Sequence, residues 1–235
     1  MTAFSLTTVR KGAANPSSAA VFFHGYGSNG ADLAELAPYL ARAVPDTAFF
    51  FPDAPEDVPN TPAFVNMRAW FDLPHFFEDV EAGRNPRDIF FELMPDALKA
   101  AELTADYVAQ IAKACSLPMS KIVLAGFSQG GLLAILTGLL AKEQAAGIIG
   151  MSACCPVFCP PLFDRESVRS TPPVALIHGT ADPVVPYPAC ELTRSFLKSA
   201  GCDVSFHAVN GMGHCIDGEA FAALADSLEK FVSGA

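Results

Sequence analysis

Lys121-Ile-Val-Leu-Ala-Gly126-Phe127-Ser128-Gln129-Gly130-Gly131-Leu132-Leu-Ala-Ile-Leu-Thr137 changes character at its serine. Before the serine runs a short, unbroken apolar stretch, the pattern of a strand covered on both faces. After it, Leu132 to Thr137 continues apolar and reads as part of a buried helix over Gly131–Lys142. The Gly-x-Ser-x-Gly pattern at Gly126, Ser128 and Gly130 suits a sharp strand-to-helix turn, where neighbouring side chains would clash and the serine backbone is strained. Such a turn pushes the Ser128 hydroxyl out of the sheet as a candidate nucleophile. It also leaves the unpaired N–H of Gln129 at a helix N-terminus, suited to stabilising a developing oxyanion. The competing reading is a glycine-rich turn with an incidental serine.

Outward from this turn, short apolar runs alternate with helical patterns. Strands are expected at Phe4–Val9, Ala19–His24, Ala48–Phe51, Lys121–Phe127, Gly147–Met151, Val174–His178 and Asp203–Val209. Helices are expected at Ala31–Ala43, Asp96–Cys115, Gly131–Lys142, Ala189–Ala200 and Glu219–Val232, the last capped by Asp217. The alternation predicts an α/β fold with a mostly parallel central sheet flanked by helices on both faces, in one domain over residues 1–235. Residues 52–95 break the pattern, being rich in Pro, Phe and acidic residues and holding the single tryptophan, Trp70. So long an interruption reads as a lid or binding insertion, or else as a loosely packed surface excursion.

A serine nucleophile needs a base, and histidine titrates near working pH. Of the five histidines, His24 and His178 end apolar strands, His207 lies in a strand pattern and His75 in the irregular segment. His214 sits in Asn210-Gly-Met-Gly-His-Cys215, a glycine-rich loop between the last strand and last helix, able to fold over the serine turn. Asp182 follows the strand Val174–His178 in His178-Gly-Thr-Ala-Asp182-Pro-Val-Val-Pro186, at the sheet edge where open α/β sheets place ligands. It would hold the imidazole tautomer and stabilise the imidazolium; the bland reading is a carboxylate shaping its own turn. The order Ser128, Asp182, His214 is that of α/β-hydrolases.

Composition narrows the rest. The 235 residues are 51% hydrophobic and 17% charged, enough for a large core. A net charge of −10 without a Lys/Arg run argues against nucleic acid or an anionic membrane as partner. Neither a signal-peptide pattern nor a spanning apolar stretch is present, so no stable membrane insertion and a cytoplasmic protein are expected. Seven cysteines at irregular spacing do not read as a disulfide framework. Cys154, Cys155 and Cys159 cluster without a second ligand pair, so no metal site is expected.

Phe22-Phe-His24-Gly-Tyr26-Gly-Ser28 supplies a glycine-containing loop after an early buried strand, with His24 as its anchor. That loop, Arg68-Ala-Trp70-Phe71-Asp72, Gly126–Gly130, His178–Pro186 and Gly213-His214 together resemble the phospholipase/carboxylesterase family that includes the acyl-protein thioesterases. The resemblance spans about Ala19 to the last helix. It implies a cofactor-free hydrolase of short- to medium-chain acyl esters, and in some members of acyl thioesters, acylated proteins or lysophospholipids. It implies Ser128, Asp182 and His214 as catalytic, the N–H groups of Tyr26 and Gln129 as the oxyanion hole, and Trp70 with Phe71 along an acyl site within 52–95. Tyr26 departs from the small aliphatic residue common at its position. Phe76 and Phe77, with Phe64, Phe90 and Phe91, extend the aromatic set. They read as an acyl channel, as a patch for a homodimer or transient lipid contact, or as ordinary core. Rival readings are a peptidase, a dienelactone-hydrolase-like enzyme (for which the nucleophile is the wrong residue) and a non-catalytic ligand-binding module on the same fold.

Overall fold

The computed structural model describes residues 4–62, 64–155 and 160–234, with the backbone alone at residues 77, 80, 86 and 87. In chain order the elements are β1 (Thr8–Gly12), β2 (Ser18–Phe23), α1 (Gly30–Ala34), α2 (Ala37–Ala43), β3 (Thr47–Pro52), β4 (Glu56–Asp57), β5 (Arg68–Ala69), α3 (Phe76–Glu81) and α4 (Pro86–Cys115). There follow β6 (Ile122–Phe127), α5 (Gln129–Leu140), β7 (Gly147–Met151), β8 (Val174–Gly179), α6 (Tyr187–Ala200), β9 (Val204–Val209) and α7 (Gly218–Ser233).

Seven strands form one sheet in the order β1-β3-β2-β6-β7-β8-β9, parallel throughout except for β1, which runs antiparallel to β3. Every residue of β2, β3, β7 and β8 is buried, as unbroken apolar runs between two helical layers require. Alternate side chains divide the core. Val21, Phe23, Phe50, Leu124 and Leu176 pack toward α4, α5 and α6, whereas Phe22, Phe49, Phe51, Val123 and Ile177 pack toward α1, α2 and α7. Each fully buried Phe or Leu contributes about 1.5–3 kcal/mol relative to an exposed position. Asp217 caps α7, its carboxylate accepting from the N–H of Glu219 at 3.0 Å and of Ala220 at 2.9 Å.

Three elements depart from the sequence expectation. The first strand is Thr8–Gly12 rather than Phe4–Val9, because Phe4 instead docks edge-on against Phe50 and Tyr107, each at 5.8 Å. The helix expected over Ala31–Ala43 is split into α1 and α2; the ring of Pro38 would strike the carbonyl of Ala34 in a continuous helix. The helix expected from Asp96 begins at Pro86, runs 30 residues and contains Pro95 in its interior. Buried Ile89 and Met94 hold that first part against the body, and this packing outweighs the lost hydrogen bond at proline. Residues 52–95 therefore hold the β4–β5 hairpin, α3 and the first turns of α4. Among the described residues, no helix is long and apolar enough to cross a membrane.

Candidate active site

The central parallel strand β6 ends in the serine turn. A Cβ on Gly126 would run into the carbonyl of Gly130, and one on Gly130 into the carbonyls of Phe23 and His24, so both positions require glycine. Ser128 lies at φ 54°, ψ −119°, a strained conformation for an L-residue. Its surroundings hold it there: its N–H donates to Met151 O at 2.9 Å, and its carbonyl accepts from Gly131 and Leu132 at 2.9 and 3.1 Å.

The loop after β9 brings His214 over this turn. Gly211 (φ 75°) lets the chain reverse, and Ala181 N–H donates to Met212 O at 3.1 Å, tying the loop to the one that follows β8. The His214 ring lies 4.8 Å from that of Phe127. Its Nε2 is 2.9 Å from Ser128 Oγ, and its Nδ1 is 2.8 Å from Asp182 Oδ2. The Asp182 carboxylate is wholly buried, and its other oxygen accepts from the N–H groups of Val184 and Val185, both at 2.9 Å. Three side chains 86 and 32 positions apart thus form one hydrogen-bonded chain. His178 supports the loop: its Nε2–H donates to Val185 O at 2.8 Å, and burial pulls its pKa down, keeping the ring neutral.

Among the described residues, no hydrogen bond within the protein occupies the backbone N–H of Tyr26 or of Gln129. The Gln129 amide opens the 12-residue helix α5, whose N-terminus carries partial positive charge. The Tyr26 phenol donates to Asp72 Oδ1 at 3.0 Å; burial, with that carboxylate second, raises its pKa to about 12, so it stays protonated.

Ser128 and His214 line a cavity of about 210 Å³ whose lining is mostly apolar. Phe71, Leu73, Phe76, Phe90, Leu93 and Met94 make up one wall, all of them from residues 52–95. Trp70, expected along this site, is instead buried behind it, its ring edge-on to Phe23 and tilted on His24, both at 5.3 Å. Phe76 is on the wall; the side chain of Phe77 lies outside the described residues. Phe64 and Phe91 are exposed and away from the cavity. Leu93 and Met94 fall in the segment 52–95 expected to be irregular, and Ala97 at the start of the helix expected from Asp96, so none of the three is singled out by the sequence. Their i, i+1, i+4 spacing on α4 was the available signal. Val184 and Val185 also face the cavity, directly after Asp182. No group of metal-binding side chains occurs among the described residues, which include Cys154 and Cys155 but not Cys159.

The Phospholipase/Carboxylesterase family profile matches residues 5–232. Acyl-protein thioesterase 1 of Neurospora crassa is 31% identical over 220 residues, covering 89% of this chain and 85% of the relative. The same-named protein of Mycosarcoma maydis is 29% identical over 223 residues, covering 92% of each. Among solved structures, esterase PE8 superposes with a TM-score of 0.83 at 29% identity, covering 96% of this chain and 99% of that one. Acyl-protein thioesterase 2 of Zea mays, at 21% identity and a TM-score of 0.66 over 96% and 99% of the two chains, shares the fold.

Proposed function

The chain belongs to the phospholipase/carboxylesterase family and is a carboxylic ester hydrolase of the α/β-hydrolase fold, and from that premise we propose that it cleaves short- to medium-chain acyl esters and thioesters through an acyl-enzyme on Ser128. The observation that carries this reading is the Ser128–His214–Asp182 hydrogen-bonded chain, whose serine and histidine line a mostly apolar cavity.

Asp182 accepts the Nδ1–H of His214, which leaves Nε2 with its lone pair toward Ser128 Oγ at 2.9 Å. As the oxygen attacks the acyl carbonyl, its proton passes to Nε2, and the imidazolium is stabilised by the buried carboxylate. The carbonyl oxygen gains the negative charge and is held by the N–H groups of Tyr26 and Gln129; one such donor is typically worth ~10²–10³ in turnover. The C–O or C–S bond to the leaving group then breaks, and the departing oxygen or sulfur takes the proton from Nε2. Water repeats the sequence: it gives its proton to Nε2, attacks the acyl carbonyl, and releases the acid as Ser128 recovers its proton.

Residues 52–95 serve here as the acyl-binding insertion within a single domain. An apolar cavity of ~150 Å³ accepts benzene, so about 210 Å³ holds an acyl chain of roughly eight carbons. The leaving group is a small alcohol or thiol, or the thiol of an acylated protein, consistent with the thioesterase relatives. Ser128→Ala is expected to abolish p-nitrophenyl ester turnover while circular dichroism stays that of the parent. Parent-level turnover by the variant would mean that another group is the nucleophile and would remove the mechanism.

A further inference from the structure

The segment Arg68–Phe71 runs between the loop after β2 and the serine turn, and it is hydrogen-bonded to both. At the loop, Gly27 N–H donates to Arg68 O and Arg68 N–H donates to Ser28 O, each at 2.9 Å. The Trp70 indole N–H donates to His24 O, also at 2.9 Å. At the serine turn, Trp70 N–H donates to Gln129 Oε1 at 3.1 Å, and Gln129 Nε2–H donates to Phe71 O at 2.8 Å. Among the described residues, no hydrogen bond joins residues 24–28 directly to residues 128–130; the polar link passes through Trp70.

The far side of this link is rigid. His24 is fully buried, its Nδ1–H donates to Gly25 O at 2.7 Å, and its Nε2 accepts from Ala54 N–H at 3.0 Å. That pattern permits one neutral tautomer only. The Arg68 guanidinium is fixed by Ala54 O at 2.9 Å, by Pro55 O at 2.6 Å and by the Asp57 carboxylate. Both arms of the Gln129 carboxamide and both N–H groups of Trp70 are used, and both residues are buried.

We infer that Trp70 and the Gln129 carboxamide are positioning residues that fix the spacing of the two oxyanion-binding amides, Tyr26 N–H and Gln129 N–H. This rests on the oxyanion role assigned to those amides above. One amide belongs to the loop after β2 and the other to the turn after β6, so their spacing is set by whatever ties the two together. An ångström of misplacement costs ~10²-fold in rate. Removing part of the link therefore lowers kcat through the transition state and leaves ground-state substrate binding alone.

Two variants test it. Trp70→Phe keeps an aromatic ring, though a smaller one, and the backbone N–H but loses the indole donor; Gln129→Met keeps the length and loses both carboxamide bonds. Rates are expressed per active site titrated with a fluorophosphonate, so that unfolded molecules do not count. Relative to the parent, kcat is expected to fall about 10-fold in Trp70→Phe and up to ~100-fold in Gln129→Met, with KM unchanged. Affinity for a trifluoromethyl ketone, which forms an oxyanion on the serine, falls by the same factor, and that for the matching methyl ketone does not. A fall in thermal midpoint with parent-level kcat per titrated site and parent-level trifluoromethyl ketone affinity would overturn the inference. Should Gln129→Met give no folded protein, Trp70→Phe decides alone. If the parent itself binds the trifluoromethyl ketone no more tightly than the methyl ketone, it is the oxyanion assignment that fails.

Discussion

Ala97 lies on α4 and lines the cavity shared with Ser128, 1% exposed, so Ala97→Leu places three extra carbons where the proposed acyl chain would go. The cavity takes roughly eight carbons by the benzene comparison, so the variant should take roughly five. Each methylene seated in an apolar site contributes about 0.8 kcal/mol. Three lost methylenes then cost about 2.4 kcal/mol, or about 50-fold in kcat/KM for an octanoate ester. Acetate and propionate esters, with few carbons beyond the carbonyl, are expected to keep parent-level turnover. The assay is kcat/KM over p-nitrophenyl esters from two to twelve carbons. In the parent it should climb about four-fold per methylene and flatten near eight. In Ala97→Leu the plateau moves to shorter chains. An unchanged octanoate-to-acetate ratio, with Ala97→Leu folded, would mean that acyl chains bind elsewhere.

Asp182→Asn should keep the fold, since its amide oxygen can still accept from Val184 and Val185, yet lower kcat by ~10⁴ because the His214 tautomer is no longer enforced; stopped-flow ester hydrolysis checks this. His24 and His178 are buried with pKa values lowered by desolvation, so below about pH 6.5 the unfolded chain binds protons that the folded chain does not. Stability should thus be full above that pH and decline as pH falls through it, and calorimetry showing a flat or rising midpoint from pH 7.5 to 5.5 would contradict it. Gly130→Ala forces a Cβ against the carbonyls of Phe23 and His24 and should cost roughly 3 kcal/mol, a drop of about 6–12 °C in thermal midpoint.

What the sequence disclosed and what it concealed differ in the range of the interactions involved. The serine turn, its strand and its helix were readable because glycine requirements and apolar periodicity act over a few residues. Asp182 and His214 were readable for a related reason, each standing in a loop just past a recognisable strand. Trp70 is expected along an acyl site but is buried away from the cavity lining: its partners His24 and Gln129 lie 46 and 59 positions away, and no local pattern signals such contacts. The helix is expected only from Asp96, but packing of Ile89 and Met94 carries α4 back through Pro95 to Pro86 and makes Leu93 and Met94 cavity residues. Phe4–Val9 had the composition of a strand, whereas docking of Phe4 between Phe50 and Tyr107 moved the sheet pairing to Thr8–Gly12.

The most direct measurement is intact and peptide mass spectrometry after stoichiometric fluorophosphonate treatment, with residual ester hydrolysis read from the same sample. One phosphonyl adduct on the peptide bearing Ser128, with activity falling in proportion to labelling, is the predicted result. Full labelling of another residue with loss of activity, or unlabelled Ser128 in an inactivated protein, would contradict it.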